Sequence, residues 1–354
     1  MTTSPRRAAV VGTGLIGGSL GLALCRQGWH VTGRDRDEAR AATALALGAL
    51  DAIGDDPDAE LTFVATPVGA VAVEAVAALR GGGVVTDVGS VKGSIVAGVD
   101  DPRFVGGHPM AGSEQDGVEG ADPELFTGAV WVLTPVESTD ADAHSLVRAT
   151  VSSFGADVVE LTPERHDALV AVVSHVPHLA AASLMGLAAE RAEEHAALLR
   201  LAAGGFRDMT RIAAGSPTIW PDICVENRDA IVEVLTRFEG ALGDMRRRVE
   251  DADRPALLSV LEGARTARMN LPGRVTTPAE LAEVRIPVPD RPGVLAEVTT
   301  LAGELGVNIA DMEVAHSSEG TGGVAILLVE AALADRFRGG LIARGYRPSV
   351  QALS

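Results

Sequence analysis

Four short stretches of the sequence bring together side chains that move protons or grip anions. FVGGHPMAGSE (104–114) sets His108 on bare backbone between two glycines and a proline. Imidazole is the side chain that exchanges a proton near neutral pH, so His108 is a candidate general base; a loop histidine with satisfied hydrogen bonds is the plainer alternative. DVGSVKG (87–93) places Ser90 at a strand-like end, either to orient a base or cofactor or to cap a helix. PERHDALVAVVSHVPHLAAA (163–182) puts Asp167, Ala171, Ser174 and His178 on one helical face, with His175 three residues before His178. Pro177 predicts a kink there, because it lacks an amide hydrogen and crowds the Val173 carbonyl. These histidines do not have the spacing of a zinc-binding helix and no cysteine supports them, so no metal is expected. In GGFRDMTRI (204–212), Arg207 and Arg211 fall at i, i+4, which suits a carboxylate ligand or a solvated ion-pair face. Trp220 follows near a helix start, as a core anchor or a pocket wall.

The elements that must hold these groups are legible in the hydrophobic pattern. AAVVG (8–12), HVTGRD (30–35), LTFVATP (61–67), GVVTDVGS (83–90), RFVGGHP (103–109) and AVWVLTP (129–135) read as buried strands. Helical stretches separate the early ones, as a parallel α/β sheet requires, and the carboxyl ends of such strands line a ligand crevice. Thr162-Pro163-Glu164 reads as a helix start, and Ser216-Pro217 repeats it. The expected organisation is a Rossmann-type domain over 6–162, an all-α helical domain over 163–267, a linker over 268–282 and a small ferredoxin-like α+β domain over 283–354.

The first strand runs into Gly12-Thr13-Gly14-Leu15-Ile16-Gly17 and a helix, with Asp35 ending the second strand. That context turns a common glycine pattern into a dinucleotide fingerprint. Gly12 makes the tight turn, Gly14 admits the pyrophosphate, and Gly17 lets helix and strand pack closely. Asp35 accepts both ribose hydroxyls and repels a 2′-phosphate, which predicts NAD, although Arg34 and Arg36 beside it weaken the exclusion of NADP. Leu15, Ile16 and the strand end Thr66-Pro67 complete the expected cofactor contacts.

The formal net charge of −18 argues against nucleic acid as a partner. Hydrophobic residues at 47% and charged residues at 22% are the balance of a globular protein, and aromatics at 3% leave the core to Ala, Val and Leu. Two cysteines, Cys25 and Cys224, fit a reducing cytoplasm. No apolar stretch is expected to reach a membrane span, and the N-terminal apolar run is broken by glycines rather than built as a leader.

In order along the chain, GTGLIGGS, DVGSVKG, GGHPMAGSE, the HD…SHVPH helix and GGFRDMTRIA…W resemble the prephenate/arogenate dehydrogenase family of tyrosine biosynthesis. The tail DRPGVLAEVTTLAGELGVNIADM resembles an ACT regulatory module. The resemblance implies oxidative decarboxylation with NAD: His108 takes the 4-hydroxyl proton of prephenate or arogenate as hydride leaves, and Ser90 holds the imidazole or hydroxyl in line. It implies that Arg211, helped by His178 and Arg207, binds substrate carboxylate, while Ser113, Glu114, Ser174, His175 and Trp220 shape the pocket. Asp167 would pair with Arg211 as a gate. A homodimer built on the helical domain follows, and an amino-acid effector such as tyrosine near Gly293 and Asn308. Two other readings remain beside it. A β-hydroxyacid dehydrogenase would carry a catalytic lysine on the helical domain, where this sequence has histidines, and a ligand-sensing regulator without turnover would not need Ser90, His108 and Arg211.

Overall fold

The structure, a computed structural model, describes residues 5–112, 117–194, 202–270, 281–289, 291–316 and 322–352. The chain divides into two compact units, Met1–Ala241 and Leu242–Ser354.

The first unit opens with β1 (Arg7–Val11), α1 (Leu15–Arg26), β2 (His30–Arg34), α2 (Glu38–Ala46), β3 (Ala52–Ile53), β4 (Leu61–Val64) and α3 (Val68–Ala78). It continues with β5 (Val84–Asp87), α4 (Gly93–Ala97), β6 (Phe104–Pro109), β7 (Val130–Thr134), α5 (Ala141–Ser153) and β8 (Asp157–Glu160). The strands form one sheet in the order β3-β2-β1-β4-β5-β6-β7-β8. Chain order reverses between β1 and β4, the position where doubly wound sheets open a ligand crevice.

All neighbouring strands are parallel except β6 and β7, which pair antiparallel. Two strands escaped the sequence pattern for physical reasons. β3 has only two residues, and β8 at the sheet edge is mostly exposed, so neither shows an apolar run. Four of the eleven aromatics, Phe63, Phe126, Trp131 and Phe154, pack ring against ring in one core.

Helices follow: α6 (Pro163–Val170), α7 (Val176–Glu194), α8 (Gly204–Thr210), α9 (Trp220–Glu226), α10 (Arg228–Glu250) and α11 (Arg254–Met269). Thr162 caps α6 as expected, its hydroxyl accepting the Arg165 amide at 3.2 Å. Ser216 does not cap: it precedes a 3-10 turn, Pro217–Ile219, and its hydroxyl lies 3.1 Å from that of Thr218.

Between α6 and α7 the chain makes a π turn, Ala171–His175, in which the Val176 amide donates to the Ala171 carbonyl. The wider turn is how the helix accommodates Pro177 two residues later, with its missing donor and its clash with Val173. The extra residue shifts the buried face. Asp167, Ala171 and His175 are buried, while Ser174, expected on the same face, is half-buried.

Pro163–Arg191 is also long and apolar enough to cross a membrane by length and composition, correcting the expectation that no stretch is. His166, Asp167 and His175 within it are hydrogen-bonded inside the protein, while 28% of its apolar window is buried.

The second unit holds the end of α10 and all of α11, followed by β9 (Leu281–Pro289), α12 (Val294–Glu304), β10 (Ile309–His316), β11 (Gly322–Glu330), α13 (Ala331–Ala343) and β12 (Ser349–Ala352). Its sheet, β10-β11-β9-β12, is antiparallel throughout. Alternate residues Val284, Ile286 and Val288 of β9 face Val298 and Leu301 of α12 and Phe337 and Leu341 of α13 in one core. The order is βαββαβ, that of a ferredoxin-like α+β domain.

Candidate active site

The chain leaves β1 at Gly12, whose φ of +92° favours glycine. A Cβ on Gly12 would lie 2.5 Å from the Ala65 carbonyl oxygen, and one on Gly17 would lie 1.8 Å from the Gly12 oxygen. A Cβ on Gly14 would meet nothing within 4 Å. The turn is therefore closed at its outer glycines and open at the middle one, ahead of α1, which has no side-chain cap. Those amides offer partial positive charge to a pyrophosphate.

Leu15 and Ile16 are half-buried at the helix start. Asp35 is fixed toward the turn: its Oδ2 accepts the Thr13 amide at 2.8 Å and its Oδ1 the Asp37 amide at 2.9 Å. An ionised carboxylate keeps further lone pairs for ribose hydroxyls. Thr66, against Gly12 and next to the exposed Pro67, has a buried hydroxyl with no partner among the described residues. Together these features fit a bound dinucleotide.

Next to the crevice lies a charge pair that sequence reasoning missed. Lys92, the only lysine in the chain, is wholly buried. Its Nζ donates to Asp87 and, at 2.7 Å, to the Gly107 carbonyl. Asp87, also buried, accepts the Gly89 amide at 2.8 Å and the Gly107 amide at 3.0 Å. Burial pushes the Lys92 ammonium below the ordinary lysine value, and Asp87 opposes that push. The pair thus grips both polar groups of the residue before His108. Ser90 between them is half-buried and caps nothing, since α4 starts after Lys92 without a side-chain cap.

His108 lies within β6 opposite Val132, rather than in a loop. Its Nδ1 is 2.8 Å from His166 Nε2, and His166 Nδ1 is 2.7 Å from Asp167 Oδ1. The Asp167 carboxylate only accepts, so His166 carries its proton on Nδ1 and accepts at Nε2. His108 must then donate from Nδ1, which leaves the Nε2 lone pair as its basic site. Burial, then the nearby His166, Lys92 and His175, hold this imidazole well below 6.5. The base therefore stays neutral and competent through neutral pH and is lost only as pH falls through that lowered value.

Asp167 corrects an expectation. Its oxygens take His166 and the amides of Lys92 and Gly93, both at 2.8 Å, so it anchors the relay and the start of α4 rather than gating Arg211. His166 was passed over beside it because its partner, His108, lies far away in sequence.

The relay continues into a pocket wall. Asn227 Nδ2 donates to the Asp167 carbonyl at 2.9 Å and lies 3.1 Å from His175 Nδ1. Asn227, also missed, therefore makes His175 Nδ1 an acceptor and leaves the proton on Nε2, a buried atom without a partner among the described residues. Burial lowers His175 to about 4 and also lowers His178. Trp220 links them: His178 stacks on its ring at 3.6 Å, and His175 meets it edge-on at 6.2 Å.

Arg207, exposed in α8, donates from Nε to the Ala202 carbonyl at 3.2 Å. Arg211 opens the following 3-10 turn, Arg211–Ala214, and is exposed, so the expected i, i+4 pair spans a change of helix type. Ser174 makes no hydrogen bond through its side chain among the described residues. Ser113 and Glu114 lie outside the described residues.

Three family models match the chain: a prephenate dehydrogenase nucleotide-binding domain over 20–160, a prephenate dehydrogenase dimerization domain over 162–263 and an ACT domain over 282–335. The chain is 35% identical to the prephenate dehydrogenase of Bacillus subtilis (strain 168) over 334 residues, 89% of this chain and 90% of that one. It is 32% identical to the cyclohexadienyl dehydrogenase of Zymomonas mobilis over 281 residues, 75% and 96% of the two. Among solved structures, that of prephenate dehydrogenase from A. aeolicus in complex with hydroxyphenyl propionate and NAD+ superimposes with a TM-score of 0.71 at 30% identity. That match covers 76% of this chain and 99% of the other.

Proposed function

Because the chain belongs to the prephenate dehydrogenase family, we propose that it takes prephenate to 4-hydroxyphenylpyruvate, with His108 as the base. It is an NAD-dependent oxidoreductase. Bound in the crevice of the Gly12–Gly17 turn and Asp35, NAD supplies the hydride acceptor. His108 Nε2 takes the proton of the 4-hydroxyl as the carbinol hydrogen leaves, and carbon dioxide is lost as the ring becomes aromatic. The positive charge gained by His108 is shared along the hydrogen bond to His166 and compensated by Asp167. The observation that carries this reading is the fixed tautomer of His108, which directs its lone pair away from the relay. Ser90, with a hydroxyl that caps nothing, orients the substrate hydroxyl or the imidazole.

Arg211, with Arg207 and His178, binds substrate carboxylate, and the His175 Nε2–H donates into the same pocket beside Trp220, Ser174, Ser113 and Glu114. The expected result of mixing protein, NAD and prephenate is NADH absorbance, exceeding that with arogenate. Silence with both substrates would leave a sensing protein without turnover. For Arg211→Ala the expected signature is a raised KM for substrate with kcat largely kept; a loss confined to kcat would remove the binding role.

The proposed domain limits are 6–162, 163–267 and 283–354, with a linker over 268–282. A homodimer through the helical domain suits the exposed apolar side chains Val172, Val173, Leu187, Val225 and Val232. A cytoplasmic setting suits the two free cysteines. In the ACT unit, Gly293, Arg291, Val294 and Val314 line a cavity of about 280 Å³, the proposed site of an amino-acid effector such as tyrosine. Asn308 is exposed and does not line it. Truncation at about residue 275 should abolish such inhibition; inhibition that survives would place the effector elsewhere.

A further inference from the structure

The adenosine end of the crevice holds two arginines, one on each side of Asp35, in opposite states. Arg36 is exposed and makes no ion pair among the described residues. Arg34 is clamped: its Nε donates to Asp55 at 2.6 Å and its Nη2 to Glu74 at 2.6 Å. Glu74 comes from α3 and Asp55 from the segment after β3, so carboxylates from two elements converge on one guanidinium. The side chain of Asp55 is 79% exposed, and exposed ion pairs contribute little to stability. The Asp55 arm thus has little structural purpose, while the Glu74 arm, with side chains 32% and 28% exposed, also ties β2 to α3.

It has a clear purpose in discrimination. A 2′-phosphate is bound by guanidinium groups that pair with its oxygens. Asp35, pinned by the Thr13 and Asp37 amides, cannot swing away to make room. The two neighbouring arginines are the available counterweight, and only Arg36 is at liberty.

We propose that Asp55 and Glu74 determine cofactor specificity: by holding Arg34 against α3 they deny a 2′-phosphate its second guanidinium and keep the site on NAD. The inference rests on the dinucleotide reading of the Gly12–Gly17 turn.

The test is calorimetric binding of 2′,5′-ADP, 5′-AMP and NAD to the full chain, without turnover. In Asp55→Asn/Glu74→Gln, affinity for 2′,5′-ADP should rise roughly tenfold or more, the worth of one charge-assisted hydrogen bond. Binding of 5′-AMP and NAD should change little, which also shows that the variant is folded. Adding Arg34→Ala should erase the gain. No gain in the double variant would overturn the proposal. So would a gain that survives Arg34→Ala, since loss of negative charge alone would then explain it. A wild-type chain that binds neither 5′-AMP nor NAD would overturn the dinucleotide reading itself, and the proposal with it.

Discussion

Exchange of His108 for Asn is expected to lower kcat by roughly 10²–10⁴-fold, the usual contribution of a general base. NAD affinity should hardly move, because the cofactor turn and Asp35 follow β1 and β2 rather than β6. Asn keeps a donor for His166 and similar bulk, so what is lost is the Nε2 lone pair. The pH profile supplies an independent reading. In the wild-type enzyme the acid limb of kcat/KM should fall well below pH 6.5, because burial and neighbouring positive charge lower the imidazole. In the variant that limb should vanish. Near-normal turnover with an unchanged acid limb would place the base elsewhere.

The second large effect concerns stability. Lys92→Met leaves the Asp87 carboxylate buried at 0% exposure without its counter-ion. Removing one partner of such a pair costs about 3–5 kcal/mol. In a unit of this size that is a Tm lower by roughly 6–20 °C. The pair itself carries desolvation penalties, so Asp87→Asn/Lys92→Met should recover part of the loss. Lys92→Arg should also destabilise, since a planar fork cannot replace a compact ammonium between Asp87 and Gly107. Thermal melts of the three variants settle the matter: a single variant as stable as wild type would mean that the pair is dispensable. Because Gly107 precedes His108, kcat should fall even where the protein stays folded.

What was legible in the sequence depended on how locally it was encoded. The glycine turn with Asp35 is a short pattern whose geometry follows from sterics, and the structure builds it with each glycine in its expected steric role. The Thr162 cap and the tail order were equally local. The relay was not: His108 and His166 are 58 residues apart, and Asn227 and His175 are 52 apart. Only tertiary packing joins such partners, and no periodicity reports it. The face of the 163–182 helix was misassigned because a single π turn rotates everything after it, a local exception to a regular period. Lys92 left one overlooked trace, as the single lysine among 30 lysine and arginine residues.

That solitary lysine makes the folded surface of these 354 residues free of side-chain amines. Reagents that acylate or cross-link amines find no side chain on it while the core stays shut, only the α-amine at the N-terminus. Their slow reaction with Lys92 instead counts the moments when strands β5 and β6 part, so one labelled position becomes a clock for opening of the catalytic core.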